Sequence, residues 1–261
     1  MKSTQNIHGQ KPYYADESVT LYLGDCREVV PDLDLRVDCV VTDPPYGETG
    51  LDWDSWPTGW PSVIASVSDS MWCFGSARMF DSYRDDLLAD WKMSQDLIWS
   101  KDRGVGSVTD RFYRTHEHVR HYYRGAWGAV YHDSPRQEVY GTKQRKPTQR
   151  KATGTAWHGE RAAVEWVDDG TRMIKSVIDI NGLHGHKGHP TEKPIGILEP
   201  LIRYACPPGG TLLEPFAGSG SALVAAKMLG RRAVGVEGCE EYCELIARRL
   251  SQGVIDFGGV A

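Results

Sequence analysis

Asp43-Pro44-Pro45-Tyr46 cuts short an apolar run, Val37 to Thr42. Two consecutive prolines fix φ at about −65° and remove two backbone donors, so the carbonyls before them stand outward as rigid acceptors. An aspartate carboxylate and a proline carbonyl can together accept both hydrogens of an amino group, which turns the nitrogen lone pair toward an electrophile. Tyr46 adds a ring that can stack on an unstacked base. The plainer reading of these residues is a stiff strand-to-loop turn without chemistry.

A second stretch, Leu213 to Ser221, ends an apolar run in Glu214, Pro215 and Phe216, turns through Gly218, Ser219 and Gly220, and opens into a helical pattern. Glycines there let the backbone approach a ligand closely. Glu237 closes the next apolar run about 20 residues on, the spacing at which an acid can accept both hydroxyls of a ribose. The turn has neither the GxGxxG spacing of a dinucleotide site nor the Gly-Lys-Ser/Thr of a P-loop. A nucleoside without phosphates, such as S-adenosylmethionine, is the guest that fits. An ordinary tight turn and a solvent-facing strand end are the competing explanation.

The elements that must hold these residues are short. Val19 to Leu23, Val37 to Thr42, Met71 to Gly75 and Asp96 to Ser100 read as buried strands, with helical sequence near 78 to 90. After residue 188, Ile195 to Cys206 reads as a helix stopped by Pro207, Thr211 to Glu214 as a strand, Ser219 to Leu229 as a helix, Ala233 to Val236 as a strand and Glu240 to Leu250 as a helix. Strands alternating with helices predict a mainly parallel sheet whose ligands bind beyond the carboxyl ends of the strands, where both motifs lie.

The net charge of −5 hides an asymmetry: residues 100 to 187 carry 16 Lys+Arg against 10 Asp+Glu, a net of +6, while the remainder is −11. Lys143, Arg145, Lys146, Arg150 and Lys151 are the densest positive group, interleaved with Gln144, Thr148 and Gln149, a mixture suited to phosphates and base edges. A solvated basic loop is the bland alternative. The six cysteines are dispersed without a CxxC pair and predict neither disulfides nor a zinc site. His184, His186 and His189 lack the partners of a metal centre, so no metal is expected. The absence of a long apolar span and of an apolar leader predicts a soluble cytoplasmic protein.

Asp43-Pro44-Pro45-Tyr46 resembles the catalytic signature of the amino-methyltransferase family of DNA methyltransferases, and Glu214 to Gly220 resembles its cofactor motif, with Glu214 where aspartate is commoner. His189 to Pro194 is similar to the segment leading into the cofactor site, and Gly24-Asp25-Cys26 to the adenine-contacting strand end. Trp99-Ser100-Lys101 and His116-Glu117-His118 also resemble family segments. The catalytic motif precedes the cofactor motif, the order of the permuted class called beta. The resemblance implies a Rossmann-like S-adenosylmethionine-dependent methyltransferase fold: a mainly parallel seven-stranded sheet with one reversed hairpin strand, helices on both faces and an inserted target-recognition region.

On that basis residues 1–261 form one methyltransferase domain, with a catalytic half (1–100), a target-recognition region (101–187) and a cofactor-binding half (188–261). Asp43, Pro44, Pro45 and Tyr46 take the catalytic role. Asp25, Asp43, Thr191, Lys193, Glu214, Pro215, Phe216, Gly218, Ser219, Gly220 and Glu237 hold the cofactor, and the basic group contacts duplex DNA. The implied reaction is transfer to a flipped adenine at N6, because aspartate in the first catalytic position favours adenine where serine is usual for cytosine N4. N4 methylation is the main alternative. Methylation of RNA or of a protein glutamine is weaker, as is an inactive DNA-binding relative. Cytosine C5 chemistry would need a Pro-Cys nucleophile that the chain does not offer. A homodimer is mildly preferred to a monomer, and a cognate restriction endonuclease is compatible but not implied. Trp53, Trp56 and Trp60 either close over a flipped base or anchor a long loop in the core.

Overall fold

The computed structural model describes residues 10–104, 109–138, 148–150, 154–155, 159–160, 164–166, 169–182 and 192–252. The chain forms two compact units, one of residues 1–133 with 176–261 and one of residues 134–175. In chain order the first contains β1 (Tyr14–Ala15), β2 (Val19–Leu23), α1 (Cys26–Asp32), β3 (Cys39–Thr42), α2 (Trp60–Ala65), β4 (Ser70–Gly75), α3 (Ala77–Ser82), α4 (Arg84–Leu88), β5 (Lys92–Ser100) and β6 (His116–Tyr123). The second contributes β7 (Arg136–Glu138), β8 (Thr148–Arg150), β9 (Gly154–Thr155), β10 (Gly159–Glu160), β11 (Val164–Trp166) and β12 (Thr171–Met173). The first unit resumes with β13 (Val177–Asp179), α5 (Ile195–Ala205), β14 (Thr211–Glu214), α6 (Ser221–Met228), β15 (Arg232–Glu237) and α7 (Glu240–Ser251).

β3 and β4 are buried at every residue, which only a strand covered on both faces can be. Their side chains alternate between two cores. Val41, Trp72 and Phe74 pack with Leu201 of α5, Leu223 of α6 and Ile246 of α7. Val40, Met71 and Cys73 face the other way and pack with Val29 of α1, Ile64 of α2 and Phe80 of α3.

The sheet order is β1-β2-β15-β14-β3-β4-β6-β5-β13. β2, β15, β14, β3 and β4 run parallel, and β6 is inserted antiparallel between β4 and β5. The α/β fold with a mainly parallel sheet and one reversed hairpin strand is thus present, but with nine strands among the described residues where the resemblance implied seven. The additions are the two-residue β1 and the three-residue β13 at the sheet's edges.

The boundary at 101 also needs correction. β6 lies inside the sheet, so residues 101–133 belong to the main unit; their polar texture misleads because His, Glu and Arg occupy most of β6's less buried positions. The smaller unit is a nest of antiparallel pairs: β7 with β12, β8 with β11 and β9 with β10. Lys143, Arg145, Lys146, Lys151, Thr191 and the three loop histidines lie outside the described residues, and of Arg150 only its place in β8 is described.

β6 also buries His121 without a charged partner. Ser70 Oγ lies 3.0 Å from its Nε2 and Ser94 Oγ 2.6 Å from its Nδ1, with the Trp72 ring 4.6 Å away. Burial, with His132 as a smaller cause, pulls its pKa down to about 3. An unfolded imidazole protonates at about pH 6.5, so between those values the unfolded chain binds the extra proton and stability rises with pH. From this residue alone, stability should fall by about 2 kcal/mol between pH 7 and pH 5. Urea melts of the native and His121→Gln proteins at both pH values check this: the substitution should flatten the dependence, and equal slopes would acquit His121.

Candidate active site

The carboxyl ends of the parallel strands deliver the acids. Asp43 comes directly after β3, Glu214 ends β14, Glu237 ends β15 and Asp25 lies just past β2. Because β6 is reversed, its beginning reaches the same edge and brings Glu117 there, beside Lys101 at the end of β5. Lys193 arrives on the segment entering α5.

Four charges then alternate through the site. Lys193 Nζ donates to Asp43 Oδ2 and stands 3.5 Å from Glu117 Oε2, while Lys101 Nζ donates to Glu117 Oε1. Burial alone would lower the Lys193 pKa, but Asp43 and Glu117 outweigh it and hold it above the ordinary lysine value. Burial likewise opposes the charge on Glu117, and Lys193 with Lys101 overcomes it, holding that carboxyl below its ordinary value. Aromatic faces line the path: Lys193 Nζ lies 5.3 Å from the Phe74 centroid and 5.9 Å from that of Trp99.

Tyr46 is half-buried, with its hydroxyl donating to Asp43 Oδ1 at 2.5 Å. Burial, with Asp43 and Glu117 adding to it, raises its pKa well above the usual phenol value, so it is a neutral donor. The loop behind it is set by Asp54, a buried acid that no sequence motif singles out. Asp54 Oδ1 accepts from the backbone N–H groups of Tyr46 (2.8 Å) and Gly47 (2.9 Å), and Oδ2 from those of Glu48 (3.0 Å) and Thr49 (2.7 Å). Gly47 has φ +69°, and a Cβ there would meet Tyr83 Oη at 3.0 Å, so glycine is what the turn tolerates. Further along, Trp56 stacks on Tyr83 at 4.4 Å and donates to Asp86 Oδ2 at 2.7 Å, and Trp60 is wholly buried against Phe216 at 5.3 Å. Two of the three tryptophans therefore anchor; Trp53 is exposed.

At the glycine-rich turn, Glu237 Oε2 accepts from Gly218 N at 2.7 Å and Oε1 from Cys239 N at 2.9 Å, and burial raises its pKa. Glu214 accepts from Phe216 N at 3.1 Å, and burial lifts its pKa well above the carboxylate range. Gly220, at φ +75°, is pressed so closely that a Cβ would meet Ile246 Cγ1 at 2.9 Å. Pro215 and Ser219 are buried, and Ser219 Oγ lies 3.0 Å from Ser221 Oγ. Arg249 ties this turn to the Lys193 segment, bonding Ser219 O at 3.1 Å and pairing with Glu192 Oε1 at 2.7 Å. Asp25 caps α1 through Arg27 N at 2.8 Å and pairs with Arg27 Nη2 at 2.5 Å.

The structure thus brings Asp43, Tyr46 and Lys193 into direct contact, with Lys193, which the sequence placed among cofactor contacts, bonded to the Asp43 carboxylate. Glu117, Lys101, Asp54 and Arg249 are site residues that the sequence did not assign. The spacing of charges along the chain gives no sign of them, since Lys101 meets Glu117 16 residues on and Arg249 meets Ser219 30 residues back.

Cys73, the thiol beside this cluster, has its pKa driven well up by burial, so no nucleophile is prepared there. No group of three or more metal-ligating side chains occurs among the described residues, and no helix among them is long and apolar enough to cross a membrane. What the edge presents is a carboxylate that accepts from an ammonium, just past the strand beside the one that ends in Glu214 and leads into the glycine-rich turn, the place where open α/β sheets bind their ligands. A model of the N6/N4 DNA methylase family matches residues 37–248, and the chain belongs to that family. It is 26% identical over 270 residues to the Type II methyltransferase M.ScaI of Streptomyces caespitosus, covering 92% of this chain and 84% of that one. The solved structure of an M1.HpyAVI–SAM complex is similar at a TM-score of 0.60 and 23% identity, over 88% of this chain and 99% of that one. The cytosine-N4-specific PvuII DNA methyltransferase is similar at 0.63 and 16% identity, over 97% and 92%.

Asp54→Ala leaves four backbone donors without their acceptor and is expected to cost about 2–3 kcal/mol, with faster proteolytic cutting between residues 47 and 53. Asp54→Asn, which keeps one acceptor oxygen, should lose about half as much. Urea melts and limited proteolysis check both, and an Asp54→Ala protein as stable as the native one would refute this anchoring role.

Proposed function

We propose that this chain methylates the exocyclic N6 of adenine in duplex DNA, with S-adenosylmethionine as donor and with the target base flipped out of the helix. The observation that carries the reading is the Asp43 carboxylate, fixed at the end of β3 before two prolines and already accepting from a lysine ammonium, the kind of donor a target amine would be. Aspartate in this position supports adenine. The order of the motifs supports the permuted beta class.

The chain's residues fit the donor. Glu214 is a buried acid with one backbone bond, and a cationic amino group beside it would restore its charge. Each oxygen of Glu237 keeps acceptor capacity beyond its backbone bond, as two ribose hydroxyls require. When bound, S-adenosylmethionine would supply an electrophilic methyl group to the amine's lone pair, with the sulfur as leaving group keeping the electron pair, and the amine would shed its surplus proton. Asp43 and the Pro44 carbonyl orient the amine, Asp43 receives that proton and passes it to water, and Tyr46 stacks on the base.

DNA as the partner is supported by the loop between β5 and β6. It carries Phe112, a fully exposed ring (101%), with Arg103, Arg111 and Arg114 in the same loop, each beside an acid, and a loop that carries an exposed aromatic together with arginines suits phosphates and bases. The basic group at Lys143 to Lys151 and the smaller unit are assigned to target recognition.

Purified protein with methyl-labelled S-adenosylmethionine and unmethylated genomic DNA, followed by nucleoside mass spectrometry, tests this. N6-methyladenine is expected; N4-methylcytosine would overturn the base assignment, and an unlabelled DNA fraction would overturn the DNA reading. Asp43→Ala and Tyr46→Ala should each lower turnover by about 100-fold or more, Tyr46→Ala with cofactor affinity retained. Full turnover in Asp43→Ala would end this mechanism.

A further inference from the structure

Both oxygens of Asp43 are already taken by the chain's own donors: Oδ1 by the Tyr46 hydroxyl at 2.5 Å and Oδ2 by the Lys193 ammonium. A target amine has to claim one of them. A lysine ammonium left in place is also a poor neighbour for an amine that becomes positive as its N–C bond forms, because like charges repel most in a water-poor site.

The two donors are not equally free to leave. Glu117 Oε1 is engaged by Lys101, but Oε2 is buried and, among the described residues, receives no hydrogen bond. It stands 3.5 Å from Lys193 Nζ, too far for a bond as placed and within a small rotation of one. A buried carboxylate oxygen without a hydrogen bond is costly and calls for an explanation. The rings of Phe74 and Trp99 flank Nζ, so the charge keeps favourable contacts during such a rotation.

We infer that Lys193 is a two-position residue, resting on Asp43 as a stand-in for the target amine in the free protein and moving onto Glu117 Oε2 when the amine docks. The vacated oxygen is Asp43 Oδ2, since Lys193 has a second acceptor 3.5 Å away in Glu117 Oε2. Lys193 and Glu117 are then positioning residues. Lys101 keeps Glu117 ionised in both states, and its hold on Oε1 leaves Oε2 as the landing point. The role in catalysis rests on the amino-methylation reading; the lysine's choice between two carboxylates does not.

The test has one arm independent of activity. In protein labelled with ¹⁵N-lysine, the Lys193 ammonium signal is assigned by its loss in Lys193→Met. Asp43→Asn should shift that signal in the free protein. In the native protein, unmethylated duplex DNA with S-adenosylhomocysteine should shift it in the same direction, and Glu117→Gln should abolish the DNA-induced shift.

In the kinetic arm, Glu117→Gln, which strands Lys193 on Asp43, should lower turnover about tenfold or more with cofactor affinity unchanged. Glu117→Gln/Lys193→Met should recover much of that loss, a coupling of opposite sign to that of two residues merely supporting the fold. Thermal melts identify any variant that fails to fold. A Lys193 signal unmoved by Asp43→Asn, or a double variant no better than Glu117→Gln alone, overturns the inference. If the native protein labels no DNA, the amino-methylation reading falls, and the Asp43→Asn shift still decides whether Lys193 has two positions.

Discussion

Five adjacent parallel strands bury both of their faces, so the polar and charged groups this chain needs for chemistry are driven to the strand ends. That constraint puts Asp25, Asp43, Glu214 and Glu237 along one edge. Strand β6 departs from it usefully. The parallel strands reach this edge with their carboxyl ends, whereas β6, running against its neighbours, reaches it with its first residues. It so delivers a fifth acid, Glu117, from a strand whose far end lies at the opposite side of the sheet. A parallel strand in that place would have carried Glu117 away from Lys193.

The charge chain couples this topology to the site. Lys101, Glu117, Lys193 and Asp43 alternate in sign, and burial opposes the charge of both Lys193 and Glu117 while their oppositely charged neighbours favour it. Removing one member of a buried pair typically costs about 3–5 kcal/mol because the survivor is left uncompensated. The arrangement therefore tolerates loss of a single charge poorly, whereas concerted loss of a facing pair leaves nothing stranded. It also ties the segment before α5 to β3, β5 and β6, while Arg249 and Glu192 tie that same segment to the glycine-rich turn. The two halves of the site are held together by ionic contacts at the edge as well as by the cores beneath.

Much of this is legible in the sequence, for a physical reason. Strands covered on both faces must be continuously apolar, so β2, β3, β4 and β14 announce themselves within one or two residues, and acids that interrupt such runs, Asp43, Glu214 and Glu237, stand out. β6 does not. Val119, His121 and Tyr122 are its buried residues, and a histidine bonded between two serines looks polar in sequence although it behaves as core. Helix α2 is hidden in the tryptophan-rich stretch, where burial of Trp60 cannot be told from exposure of Trp53 by residue type. Glu117 and Lys101 are visible as letters in familiar segments, yet their pairing depends on how β5 and β6 are registered, which no local pattern carries. Asp54 reads in sequence as one more acid in a loop that could close over a base, because its partners are backbone N–H groups, which sequence does not distinguish.

The anchoring by Asp54 changes how the site must adapt to a base. Asp54 fixes four consecutive N–H groups from Tyr46 to Thr49, Gly47 holds the turn in a conformation closed to other residues, and Trp56 is stacked and hydrogen-bonded beyond it. A loop so restrained is a poor candidate for large closure. Adaptation falls instead to side chains: the Tyr46 ring settles against a base face with its hydroxyl kept on Asp43 Oδ1, and Lys193 must yield Asp43 Oδ2. Both are rotations about side-chain bonds above a fixed backbone, and such motions are fast compared with rearrangement of a loop. The free site is accordingly preorganised in its backbone, with both Asp43 oxygens already hydrogen-bonded, so an incoming amine displaces a donor of its own kind.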